Sequence, residues 1–169
     1  MGNWLLDNLY FKMEVQNNIS FCSYDIMHYD ATKQDGIREL LEKCTFLLLQ
    51  ETWWNANEFV RQFKADFERT ECISANTMDL TDINRGRAHG GVSICYRSNV
   101  KCKTETIPTS SKSICAKIIT IEDMRLLLIN VYMPCTNNID SLEEYPKILR
   151  EISSICIKSL TPMIVIGGD

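Results

Sequence analysis

Four consecutive large apolar residues, Phe46-Leu-Leu-Leu49, sit between polar flanks in this chain. Successive side chains of a strand point to opposite faces, so a run with no polar residue calls for cover on both sides. The neighbouring stretches can supply that cover. Ile37, Leu40, Leu41 and Cys44 recur at helical spacing, and Phe59, Phe63 and Phe67 fall four apart within a helix expected over 55–68. Further strands are expected at Ile19–Tyr24, Gly90–Tyr96, Cys115–Ile121 and Leu126–Tyr132, the last two joined by a turn at Glu122-Asp123-Met124. Ser141-Leu-Glu-Glu144 has the capping-box pattern. The helix it opens would place Leu142, Tyr145, Leu149, Ile152 and Cys156 on one broad face. Pro162 then precedes a last apolar strand that runs into Gly167-Gly-Asp169. Strands alternating with helices around an antiparallel pair predict a single mixed α/β layered domain.

Composition narrows the class. A chain of 169 residues, 45% apolar and 24% charged, has the profile of one globular domain. A net charge of −4 argues against general nucleic-acid affinity but leaves room for a local basic groove. The stretch with Arg85, Arg87, Arg97, Lys101 and Lys103 reads either as a phosphate-contacting surface or as a solvated basic loop. None of the eight cysteines forms a Cys-x-x-Cys pair, so a structural zinc is not expected. No secretory signal opens the chain and no run is long enough to span a membrane. Reduced, buried thiols in an intracellular protein, nuclear or cytoplasmic, are therefore the expectation.

Several polar residues fall at the carboxyl ends of the expected strands: Asp25, Glu51, Tyr132 and Asp169. Active sites of α/β domains collect at such ends, where the sheet fixes the side chains and loops complete the pocket. Carboxylates with a tyrosine suit metal-assisted phosphate chemistry, and oxygen ligands suit Mg²⁺ or Mn²⁺. Taken one at a time, each residue also fits a solvated loop or a packed aromatic.

The order of these pieces resembles the endonuclease/exonuclease/phosphatase superfamily, and within it the endonuclease domains of LINE-type non-LTR retrotransposons. The resemblance rests on Ile19-Ser-Phe-Cys-Ser-Tyr-Asp25, Leu47-Leu-Leu-Gln-Glu-Thr-Trp53, Gly86-Arg-Ala-His-Gly-Gly-Val-Ser-Ile94, Leu127-Leu-Ile-Asn-Val-Tyr-Met-Pro134 and Ile164-Val-Ile-Gly-Gly-Asp169. It implies an α/β sandwich of that family's type over 18–169, a partial domain preceded by an N-terminal extension over 1–17. It implies Glu51 as the main metal ligand and Asp25 near the metal, at a place where the family usually carries asparagine. Tyr132 would hold the scissile phosphate, and Asp169 would help activate the attacking water. Arg87 and Arg97 are the candidate nucleic-acid contacts. The implied cofactor is Mg²⁺ (or Mn²⁺), the implied substrate is DNA, and a reverse transcriptase is expected downstream in a full element.

Two further expectations follow from the resemblance. The family's second sheet comes mainly from its C-terminal half, so this chain should hold only the N-terminal sheet and its helices, with the inner face uncovered. The family's general base is a histidine near the C-terminus. His28 and His89 do not match it by motif and read as loop histidines. The chain is accordingly expected to be an endonuclease-type hydrolase inactive as it stands, or else a non-catalytic binding fragment of the same fold.

Overall fold

The computed structural model describes residues 19–75, 90–134 and 139–168. The expectations for residues 1–17, Arg87, His89 and Asp169 lie outside those described residues. The chain begins with β1 (Phe21–Asp25), a 3₁₀ turn (Ala31–Lys33) and α1 (Gln34–Lys43), then β2 (Phe46–Gln50), α2 (Ala56–Asp66) and β3 (Thr70–Ala75). It continues with β4 (Val92–Arg97), β5 (Lys103–Ile107), β6 (Ile114–Ile121), β7 (Met124–Val131), α3 (Ile139–Ser159) and β8 (Met163–Gly168).

These strands make two four-stranded sheets, ordered β1-β2-β4-β3 and β5-β6-β7-β8. The layered α/β architecture holds, but the expectation of a single sheet with a bare inner face is corrected. The β6–β7 pair is the centre of a separate sheet, which β8 joins in parallel to β7 and β5 joins antiparallel to β6. This second sheet covers the first.

Side-chain alternation explains the stacking. Phe21, Phe46, Leu48, Val92, Ile94 and Tyr96 point inward from the first sheet and meet Cys115, Ile119, Leu126 and Leu128 of the second. The opposite faces of β1 and β2 present Cys22, Leu47 and Leu49 to Ile37 and Leu41 of α1 and to Phe59 and Phe63 of α2. On the far side, Ile114, Ala116, Leu127 and Ile129 pack under Ile148 and Ile155 of α3. The order is helix, sheet, sheet, helix, and Phe46–Leu49 is buried throughout, as its composition requires.

Three local differences from the expectation have physical causes. β3 and β5 were not anticipated, because β5 is an edge strand with four of its five residues exposed and so carries no apolar pattern. α3 starts at Ile139, upstream of Ser141, and the residues it buries are Ile148 and Ile155, with Ile152 and Cys156 partly buried, while Tyr145 and Leu149 are exposed. Apolar residues nearly ring this helix, so sequence alone does not choose its buried side. Finally, β8 is an edge strand whose Ile164 and Ile166 stay exposed, because α3 lies over β6 and β7 instead.

The seven described cysteines are all free thiols. Cys72 and Cys95 face each other across β3 and β4 with their sulfurs 3.2 Å apart. Burial pushes the Cys115 thiol up to about 12, which keeps it protonated and chemically quiet. Among the described residues no helix is long and apolar enough to cross a membrane.

Candidate functional site at the mouth of the two sheets

Asp25 ends β1 and is the register partner of Gln50, which ends β2 and immediately precedes Glu51. Tyr132 follows the last residue of β7 in the facing sheet. Two of the anticipated residues therefore come from different sheets, and the structure joins them: the Tyr132 hydroxyl donates to Glu51 Oε1 at 2.5 Å. Asp25 is tied more locally, its Oδ1 accepting from the Met27 amide at 2.9 Å. Its negative charge is felt next door, since burial and then the Asp25 carboxylate push the Tyr24 phenol up.

The backbone around Glu51 is over-determined. Glu51 has φ +52° and Trp53 φ +56°, a left-handed conformation that side chains other than glycine adopt at a cost. Hydrogen bonds from both sides hold them there. Ile26 and His28 donate to Gln50 and Glu51 carbonyls at 3.1 and 2.8 Å, while Trp53 donates to the Gly90 carbonyl at 2.9 Å. Gly91 is required at its place. Its φ is +93°, and a Cβ there would lie 2.3 Å from Thr52 Oγ1. The two glycines that open β4 thus let that strand close on the loop carrying Glu51.

Below the mouth lies a buried amide network that the sequence reading did not single out. Asn130, fully buried on β7, donates from Nδ2 to the Leu49 carbonyl at 2.9 Å and the Ser93 carbonyl at 2.8 Å. Its Oδ1 accepts from Gln50 Nε2 at 2.6 Å, and Gln50 Nε2 also donates to Ser23 Oγ at 3.1 Å. Asn130 precedes Tyr132 by two residues and Gln50 precedes Glu51 by one, so this network ties the two candidate side chains to one base. The available signal was an amide at the end of each apolar run, since a buried polar group must find partners.

Other anticipated residues lie elsewhere. Arg97 ends β4 beside the amino end of β2, roughly 20 Å of strand away from Glu51, and the structure does not bring it to the mouth. Beyond these, Trp54 packs at the edge of the core, its Nε1 donating to the Tyr29 carbonyl at 2.9 Å. His28, in the loop after β1, lies against the Trp53 ring at 5.7 Å between centroids.

Among the described residues no three carboxylate, imidazole or thiol groups converge as a metal cage. The donor set suits a different kind of site. Mg²⁺ commonly keeps several waters and binds through one or two carboxylates together with substrate phosphate. Glu51 and, at the end of the neighbouring strand, Asp25 offer oxygen donors of that kind, beside a phenol able to donate to phosphate.

No protein-family model and no curated protein matches this chain. Solved structures do match. They include the endonuclease domain of TRAS1, a telomere-specific non-LTR retrotransposon, with TM-score 0.60 and 14% identity over 88% of this chain and 58% of that one. A 3' phosphatase, NExo, from Neisseria bound to product DNA hairpin matches with TM-score 0.59 and 13% identity, covering 88% of this chain and 56% of that one. An endonuclease/exonuclease/phosphatase family protein from Bacteroides thetaiotaomicron matches with TM-score 0.56 and 12% identity, covering 89% and 61%. The chain has the endonuclease/exonuclease/phosphatase fold, and it spans about three fifths of the length of these structures.

Proposed function

We propose that this chain carries the cation- and phosphate-binding part of a phosphodiester-hydrolysing site, and that its substrate is DNA, nicked in the manner of a non-LTR retrotransposon endonuclease. The observation that carries this reading is the meeting of Glu51 and Tyr132, from two different sheets, at the mouth of this fold. Structural likeness to nucleases and phosphatases, TRAS1 among them, supports the reaction class. The gene context expected with it is a reverse transcriptase in the same element.

In this reading Glu51, with Asp25 beside it, holds Mg²⁺ or Mn²⁺. When bound, the cation offsets negative charge that develops on the phosphate. Tyr132 donates its hydroxyl hydrogen to a phosphate oxygen and so orients the group for in-line attack. Asp169 accepts a hydrogen bond from the attacking water, which orients it. Asn130 and Gln50 touch no substrate; they keep Glu51 and Tyr132 at a fixed separation. Arg87 is the candidate contact to the DNA backbone.

The test is conversion of supercoiled plasmid to nicked circle with Mg²⁺, comparing wild type with Glu51→Ala. Loss of a group that stabilises transition-state charge should slow nicking roughly 10²-fold or more. If wild type shows no Mg²⁺-dependent nicking, the second reading stands instead: a non-catalytic binding fragment of the same fold.

A further inference from the structure

Glu51 and Tyr132 are presented by rigid elements, so their contact is a property of the fold. The Glu51 carbonyl accepts from the His28 amide at 2.8 Å, and the Tyr132 amide donates to the Ser113 carbonyl at 3.0 Å. Both side chains are half-buried, which limits competition from water. A hydroxyl donating to an ionised carboxylate makes a charge-assisted hydrogen bond, about twice as strong as a neutral one. A phenol has one hydrogen to give. While it is given to Glu51 it cannot be given to a phosphate.

From this we infer that Tyr132 is a built-in competitor of the cation at Glu51: its hydroxyl holds the carboxylate until a divalent cation arrives, and only then turns to phosphate. The inference rests on the proposed roles of Glu51 and Tyr132. A cation on Glu51 withdraws the charge that strengthens the phenol's hydrogen bond, and a phosphate oxygen then becomes the better acceptor. Cation and phosphate binding are thereby coupled through Tyr132, and by linkage each strengthens the other.

The experiment uses the 169-residue chain and Mn²⁺ alone, with free ion read by electron paramagnetic resonance, in wild type, Tyr132→Phe and Glu51→Gln. Removing a hydrogen bond to a charged group that must be broken on binding should tighten Mn²⁺ roughly ten- to hundredfold in Tyr132→Phe. Glu51→Gln should lose binding. A second readout is spectroscopic: saturating wild type with Mg²⁺ should change the tyrosine ultraviolet difference spectrum, and that change should be missing in Tyr132→Phe.

Equal or weaker Mn²⁺ binding by Tyr132→Phe, with binding still abolished by Glu51→Gln, overturns the competition and leaves Glu51 as the ligand. An unchanged tyrosine spectrum at Mg²⁺ saturation overturns it as well. If Glu51→Gln binds like wild type, or if none of the three proteins binds, the assignment of Glu51 falls and the competition falls with it.

Discussion

Replacing Asn130 by alanine tests whether the amide network is what locks the two sheets together. The side chain is fully buried and makes three hydrogen bonds: to the Leu49 carbonyl, to the Ser93 carbonyl and from Gln50 Nε2. Alanine removes all three. Gln50 retains Ser23 Oγ, so most of the loss falls on the two carbonyls. An abandoned buried polar group costs about 1–3 kcal/mol, so the pair, with a small contribution from Gln50, should cost about 3–5 kcal/mol. Water entering the vacated space would favour the lower figure. Stabilities of single domains run about 5–15 kcal/mol, so the variant should fold with a much reduced margin. With a urea slope of about 2 kcal/mol per molar, the midpoint should fall by about 1.5–2.5 M at unchanged slope. Far-ultraviolet circular dichroism over a urea series reads this directly. A shift below about 0.5 M would refute the reasoning, since it would mean that the carbonyls of Leu49 and Ser93 do not depend on Asn130.

Two other perturbations probe the same molecule. Gly91→Ala combines a left-handed φ of +93° with a Cβ 2.3 Å from the buried Thr52 hydroxyl. It should lose about 2–4 kcal/mol in urea unfolding, and a loss under about 1 kcal/mol would show that Thr52 gives way easily. Tyr29 is buried and donates to Asp66 Oδ2 at 2.6 Å; burial first, and that carboxylate second, push its phenol well above the usual value of 10. The raised value means that its stabilising contribution is complete below pH 10 and is lost as pH climbs above it, because the unfolded chain then releases the proton first. Wild type should therefore lose stability between pH 10 and 11 more steeply than Tyr29→Phe, and parallel urea midpoints for the two would contradict this.

How far the sequence announced this structure depends on where each residue faces. The strands at Phe46–Gln50, Val92–Arg97 and Met124–Val131 are buried on both faces or nearly so, and their composition says so without help. Phe59 and Phe63 likewise mark one side of α2, where both are fully buried. Lys103–Ile107 is a strand only because β6 offers it hydrogen bonds, and a wet edge leaves no trace in hydrophobicity. The second sheet was missed for a related reason. The β6–β7 pair reads equally well as the middle of one sheet or two, and only long-range pairing decides between them. At the mouth, Glu51 and Tyr132 were legible because each follows an apolar strand. Their contact was not, because eighty-one residues separate them. Asn130 and Gln50 could be read as interior amides, but which carbonyls they serve is a matter of how the sheets stack.

The left-handed backbone at Glu51 has a consequence for how the chain tolerates change. Glycine or asparagine would occupy φ +52° with less strain than a glutamate, by about 1 kcal/mol for glycine. The same glycine would forfeit the hydrogen bond that the Glu51 carboxylate accepts from Tyr132, worth about 1.5–3 kcal/mol, so the strain is offset by the contact it makes possible. Local backbone preference and the cross-sheet contact thus oppose each other at position 51, and a variant that relaxes the first gives up the second.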